Sequence, residues 1–340
     1  MARRSLWRRF RRATRGPRNA LLASSFMAIG RMIGALPVSL GLALGRALGT
    51  AAYPLLGTPR RFGLEHLTIA FPELSPAARR SVLRSTFRHA GQSFIELCLW
   101  PKLALRPDYV AVDGVEAVSA ALAQGRGLLA VAGHVGNWEL LAATMAARGY
   151  PITVVARQVH EMRFHALIAR FRTGAGLEVL LRDDPAFLGA VRDALRRNRI
   201  VALLVDQDTG RGAGVYVPFF GRLARTPPGA ALIALRTRAP IVTAFIERRA
   251  EGGHLIRVRP VPLDGGRGRG GVTALTAALT AAIEAQIRRA PAEWVWWHER
   301  WRRQPGGARD AQRAARVHDA AALRRAAVRA SSEALARQES

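Results

Sequence analysis

Apolar and polar positions along the 340-residue chain fall into three regimes. Between residues 19 and 57 apolar residues dominate and the only charges are Arg31 and Arg46. The charge-free runs, 19–30 and 32–45, are shorter than the roughly 20 residues a straight transmembrane helix needs. Arginine can snorkel, and a helix lying in the interface tolerates periodic charge, so this stretch predicts apolar helices that associate with a membrane, spanning or monotopic. A helix entry follows at 72–76, with Ser75 as N-cap and Pro76 at the first helical position of a helix over 77–100. From residue 110 onward strand-like and helix-like stretches alternate. Strands are expected at 127–132, 152–156, 177–181, 200–205, 241–246 and 255–261, and helices at 138–148, 162–174, 185–197, 228–237 and 272–289. That alternation predicts an α/β fold, a mostly parallel sheet flanked by helices. The third regime, 305–340, is rich in Ala and Arg with little to bury and is expected to be a flexible tail. The resulting division is 1–58 for a basic N-terminus and membrane-associating helices, 59–304 for an α/β domain, and 305–340 for the tail.

Charge complicates this picture without settling it. The formal net charge is +28, and Lys102 is the one lysine among 52 basic residues. Such an excess points either to nucleic acid or to an anionic membrane surface and phosphorylated substrates. The one cysteine, Cys98, excludes an intramolecular disulfide and cysteine-based metal clusters. The basic, apolar start also resembles a signal peptide, but its apolar part is too long for one, and retention is expected.

Chemistry is concentrated in the hexapeptide from His134 to Glu139, which follows the predicted strand at 127–132 and opens the predicted helix at 138. An α/β protein places its ligands at the carboxyl ends of strands. A histidine takes a hydroxyl proton best when a carboxylate fixes its tautomer, so His134 and Glu139 are candidate base and orienting acid, and Asn137 between them is a candidate substrate- or charge-stabilising residue. A bare His-x4-Glu spacing is common, and the bland reading is a strand cap beside a helix-turn glutamate. No Gly-x-Ser-x-Gly elbow supplies a serine nucleophile, so the hydroxyl would belong to the substrate. Asp206 and Asp208 follow the strand at 200–205 and belong on the same edge, as sugar-hydroxyl or cation partners or as turn residues. Arg157 ends the strand at 152–156, where it is placed to stabilise an oxyanion or a phosphate; Arg222 and Arg225 share that reading with a surface alternative. The apolar stretch 215–221 suits an acyl-chain wall or a core strand. Trp294, Trp296, Trp297 and Trp301, interleaved with arginines, suit nucleic-acid stacking, a lipid headgroup zone or a local aromatic core. His160, His165 and His298 show no metal-ligand spacing and are assigned no role, and no metal or cofactor is expected.

Five ordered segments carry a resemblance: Arg60-Arg61 with 70–73; 133–139; 206–208; 217–221; and 291–301. Together they resemble the bacterial lipid A secondary acyltransferases, the lauroyl and myristoyl transferases of lipopolysaccharide synthesis. The resemblance implies a glycerolipid-acyltransferase-like fold on the cytoplasmic face of the inner membrane. It implies transfer of a fatty acyl chain from acyl carrier protein, or coenzyme A, to a hydroxyl of a lipid A precursor. His134 would be the general base, Glu139 its orienting acid, Arg157 a charge-stabilising residue, and Asp206 and Asp208 the acidic pair. All three implied partners (acyl carrier protein, a phosphorylated lipid and an anionic leaflet) suit a basic surface. The same chemistry would serve a lysophospholipid, ornithine lipid or glycolipid acceptor. A nucleic-acid-binding protein is the alternative from another class, but it leaves the apolar region unexplained, and nucleic acid is not an expected partner.

Overall fold

The computed structural model describes residues 28–157, 162–208, 214–263 and 268–305. The basic leader, His160, residues 264–267 of the Gly/Arg loop and the tail beyond 305 lie outside the described residues.

Leu128–Ala132 (β2) and Ile200–Leu204 (β5) are runs of Leu, Val, Ile and Ala, and Ile241–Arg248 (β8) is buried over its first six residues, with Thr243 as the one polar side chain among them. Strands of that composition are stable only when both faces are covered, which places them in the middle of a parallel sheet. The sheet has seven strands in the order β1-β9-β8-β2-β5-β3-β4. Val110–Asp113 (β1) and His254–Pro260 (β9) lie on one side of the central trio, Ile152–Ala156 (β3) and Glu178–Leu181 (β4) on the other. Every pairing is parallel except β8 with β9. The sheet is therefore the mostly parallel, helix-flanked one the sequence predicts.

Alternating side chains feed two cores. Leu129, Val131, Val201 and Leu203 face one, with the helices Phe187–Arg196 (α8), Gly229–Thr237 (α9) and Arg269–Arg289 (α10) and the tryptophan-rich segment that follows. Leu128 and Ile200 face the other, with Val115–Leu122 (α5), Trp138–Ala147 (α6) and Met162–Gly174 (α7). A short antiparallel hairpin, Val215–Phe219 (β6) and Arg222–Thr226 (β7), joins the first core, so the apolar stretch at 215–221 is a core strand.

The amino-terminal helices are residues 28–35 (α1), Val38–Leu55 (α2), Gly57–Ala70 (α3) and Pro76–Leu103 (α4). Ser75 caps α4 as predicted, its Oγ accepting from Ala78 N–H at 3.2 Å. Helix α2 is docked on α4 through Gly41, Gly45 and Gly49, one face of small residues four apart. A Cβ on Gly45 would stand 2.8 Å from Gly91 O and 2.9 Å from Gln92 Cα, so the two backbones touch. Small-xxx-small spacing permits this approach in water or lipid. Lys102 fixes the joint, donating to Ala35 O and Leu36 O at 2.7 Å each. Beside that stripe α2 exposes Leu40, Leu48 and Leu55, and α1 exposes Ile29 and Met32. Of the stretch expected to associate with a membrane, spanning or monotopic, residues 19–27 lie outside the described residues. Among the described residues one helix, Gly270–Arg289 within α10, is long and apolar enough to cross a membrane, and half of it is buried inside the fold.

Candidate active site

Strands β2 and β5 are in register, Ala132 opposite Leu204. His134 and Asp206 each lie two residues beyond those matched ends, so a parallel pair delivers both to one point on the carboxyl edge. His134 Nδ1 is 2.7 Å from Asp206 Oδ1, and His134 N–H donates to Asp206 Oδ2 at 2.8 Å. Trp294 Nε1–H donates to the same Oδ2 at 2.8 Å. Asp206 is 1% exposed. Burial by itself would raise its carboxyl, but the charge and hydrogen bonds of His134, with the indole of Trp294, outweigh that and hold it well below the ordinary range. An ionised Asp206 is an acceptor only, so His134 carries its proton on Nδ1 and presents the Nε2 lone pair outward.

The backbone of this turn is held from behind. Gly136 has φ +64 and donates its N–H to Glu293 O at 2.9 Å, while Val295 N–H donates to His134 O at 3.2 Å. An L-residue at 136 would be strained by that φ and would drive its Cβ into Ile246 O. Asn137 caps α6, its Oδ1 accepting from Leu140 N–H at 3.1 Å, and its amide donates to Glu96 Oε2 at 2.9 Å and Ser93 O at 3.2 Å. Glu96 is fully buried and also accepts from Tyr109, Arg248 and His254. Burial opposes its charge, but His254 and Arg248 keep its carboxyl far below the usual range. Asn137 is thus part of the scaffold behind the turn.

Glu139, the expected orienting acid, has both oxygens on Arg172 of α7, at 2.9 Å and 2.5 Å. The carboxylate on His134 is Asp206. Asp208, 5% exposed, pairs with Arg225 at 3.0 Å and lies 3.8 Å from Arg303. Arg157 is 69% exposed and 3.9 Å from Asp183, at the cavity rim. Arg222 is exposed on the β7 hairpin and is not part of the cavity lining. Trp294, Trp296 and Trp301 are buried in an aromatic core, and Trp297 packs against Phe87 with centroids 5.2 Å apart and planes tilted by 52°. The tryptophans therefore offer neither a stacking face nor a headgroup belt; their structural work is to seat Trp294 on Asp206.

Two residues that lie within the segments carrying the resemblance but are given no role there, Gln207 and His298, complete the site. Gln207 Nε2 stands 3.1 Å from His134 Nε2 and 3.0 Å from His298 Nδ1. The His298 ring is perpendicular to His134 at 5.0 Å; burial first, and the neighbouring His134 next, lower its pKa to about 4, so it is neutral. His134 opens onto a cavity of about 740 Å³. Its walls are apolar, with Trp138, Val155, Phe187, Val191, Leu232 and Ile233, and its rim carries Arg157, Arg182, Arg192 and Arg236. Sites for apolar ligands with a few polar anchors have this size and lining.

Fold and site together define an α/β protein with a histidine–carboxylate dyad facing an apolar, arginine-rimmed cavity, an arrangement suited to deprotonating a hydroxyl beside a fatty chain. Comparison with known sequences agrees. The chain belongs to the bacterial lipid A biosynthesis acyltransferase family, whose model matches residues 8–303. It is 25% identical to the lipid A biosynthesis palmitoleoyltransferase of Escherichia coli over 78% of this chain and 85% of that one. It is 28% identical to the E. coli lipid A biosynthesis lauroyltransferase over 76% and 84%. A phosphatidylinositol mannoside acyltransferase of Mycobacterium tuberculosis is 32% identical over 59% of this chain, and the match spans 62% of that relative's length.

Proposed function

We propose that the protein transfers a fatty acyl chain from a thioester donor to a hydroxyl of a glycolipid at a membrane surface, with a lipid A precursor as the first acceptor to test. The carrying observation is the dyad: His134 Nε2, its proton set on Nδ1 by Asp206, faces the apolar cavity. The acceptor hydroxyl gives its proton to Nε2 as its oxygen attacks the thioester carbonyl, and the resulting imidazolium, stabilised by Asp206, protonates the departing thiolate. Glu139 acts one step away, holding Arg172 in the cavity wall.

Acyl carrier protein is the proposed donor, with coenzyme A as the alternative; both carry the thioester on a phosphorylated arm that the arginine rim would attract. Membrane association is assigned to the exposed apolar face of α1 and α2, flanked by Arg31, Arg46, Arg60 and Arg61, on the cytoplasmic leaflet of the inner membrane. The relatives include enzymes named for lipid A and for phosphatidylinositol mannoside, so a second glycolipid acceptor is a real competitor. The experiment offers detergent-solubilised protein radiolabelled acyl carrier protein and acyl coenzyme A against lipid A precursors, lysophospholipids and phosphatidylinositol mannosides, with products read by mass spectrometry. Acylated lipid A precursor is the expected product; labelling of none of the acceptors would overturn the proposal.

A further inference from the structure

Three consecutive residues from the far end of the chain grip the catalytic turn. After the short turn Pro291–Glu293 the backbone straightens at Trp294, with φ −89° and ψ 148°. Glu293 O accepts Gly136 N–H at 2.9 Å and Val295 N–H donates to His134 O at 3.2 Å, so Trp294 lies antiparallel to Val135. Successive side chains of an extended chain point to opposite sides. Glu293 reaches one way, its Oε1 accepting from Arg248 N–H of β8 at 2.9 Å, and Trp294 reaches the other, onto Asp206 beyond the end of β5.

Among the described residues the indole is the one donor to Asp206 that does not come from His134. Oδ2 takes two N–H bonds at 2.8 Å, from the His134 backbone and from Trp294, and Oδ1 is left to His134 Nδ1 at 2.7 Å. Rotating the carboxylate would break all three. The indole is equally fixed, being fully buried with Trp296 at 4.7 Å and Phe219 at 5.6 Å. A donor hydrogen bond on a carboxylate draws on the same negative charge that stabilises an imidazolium, so a carboxylate with one donor fewer holds the proton of its histidine more firmly. The other charged and titratable groups around the dyad are His298, with His66 behind it, and Arg300; Asp208 with Arg225 and Arg303; and, across the cavity, Arg172 with Glu139 and Arg157 at the rim. None of them donates to Asp206. Arg300 gives its guanidinium to Arg225 O and Thr226 Oγ1 instead.

We propose that Trp294 is a positioning residue for the reaction, one whose indole N–H fixes the rotation of Asp206 and limits how firmly that carboxylate holds a proton on His134. The inference rests on the acyl-transfer reading above, in which one proton must be both taken and returned. The acceptor oxygen gives that proton to His134 Nε2 as it bonds to the thioester carbon. When the C–S bond breaks, its electron pair stays on sulfur and the proton passes from Nε2 to the thiolate, leaving an ester and a thiol. An imidazolium held too firmly would be slow in this second transfer.

The test compares the full-length wild-type protein with Trp294→Phe and with a variant carrying benzothienylalanine at 294, which keeps the shape of the indole and replaces its N–H by sulfur. Trp296→Phe is the packing control, because Trp296 donates to Pro291 O and not to the dyad. Each is checked for cooperative unfolding. The titration of His134 is followed without substrate by imidazole ¹⁵N shifts, assigned with His134→Ala, and the pH dependence of kcat and kcat/KM is measured alongside. Both changes at 294 are expected to raise the His134 midpoint and the acidic limb of kcat/KM by about one pH unit, as part of a hydrogen bond to a charged group is passed on to the imidazole. The plateau kcat should fall with both KM values unchanged, and Trp296→Phe should titrate as the wild type does. An unmoved or lowered midpoint in the folded benzothienylalanine variant would overturn the role of Trp294. An equal rise in Trp296→Phe would overturn it too, as a packing effect. A raised midpoint in a protein whose wild type transfers no acyl chain would overturn the acyl-transfer reading, and with it the place of Trp294 in that reaction.

Discussion

Replacing Asp206 with Asn separates the charge of the dyad acid from its shape. Asp206 accepts three hydrogen bonds at 2.7–2.8 Å, from His134 Nδ1, His134 N–H and Trp294 Nε1. Asparagine keeps one oxygen and substitutes an NH2 for the other. If the oxygen stays with the two donors on Oδ2, the NH2 faces His134 Nδ1, which must then accept. The proton moves to Nε2, and the lone pair that would take the hydroxyl proton is gone. A wrong-tautomer defect of this kind costs about 10⁴ in kcat in a Ser-His-Asp triad, so a loss of about 10³–10⁴ is expected, or about 4–5.5 kcal/mol of transition-state stabilisation. If the amide turns the other way, a buried donor is left unsatisfied, which costs about 1–3 kcal/mol of stability. Turnover would be measured on folded protein well below its Tm, and imidazole ¹⁵N shifts would report which nitrogen is protonated. Near-wild-type kcat in folded Asp206→Asn, with the Nδ1–H tautomer retained, would refute the reasoning.

Three further outcomes follow from the geometry. Glu139→Ala leaves Arg172 unpaired in a largely buried site and should cost about 3 kcal/mol in chemical denaturation, while the His134 ¹⁵N shifts stay at wild-type values; a switched tautomer would make Glu139 the orienting acid. Gly45→Ala introduces a Cβ 2.8 Å from Gly91 O and should destabilise by about 1–3 kcal/mol, whereas Leu48→Ala on the exposed face should stay within about 0.5 kcal/mol. His298 titrates near 4 in the folded protein against 6.5 when unfolded, so the unfolded chain binds more protons between those values and stability falls as pH drops through that window. The loss attributable to His298 is about 3 kcal/mol, and His298→Asn should show a shallower decline from pH 6.5 to 4 in urea titrations.

The sheet was legible because its central strands are continuous apolar runs, and five of the six expected strands end within one residue of the observed ones. The exception, β8, continues two residues further, to Arg248. Strand β1, Val110–Asp113, escaped because only Val110 and Val112 are large and apolar, against the Val-Leu-Leu run of the equally short β4. The docking of α2 escaped because periodicity reports an apolar segment without saying whether protein or lipid covers it; the Gly41-Gly45-Gly49 stripe was the available signal. His134 was placed correctly at the strand end, but its partner is set by the register of β2 with β5, a contact 72 residues apart in sequence. Sequence adjacency favoured Glu139, and only the fold brings Asp206 to Nδ1. His298 and Trp294 reach the site from the far end of the chain, where composition reads equally as stacking face or core.

In the proposed reaction His134, oriented by Asp206, takes the proton from a lipid hydroxyl during acyl transfer. Single-turnover transfer from acyl carrier protein to a lipid A precursor, measured with wild-type protein and with folded, membrane-competent His134→Ala, tests it most directly. Acylated lipid is expected from the wild type, with a loss of at least about 10³ in the variant. Transfer by His134→Ala at the wild-type rate would contradict it.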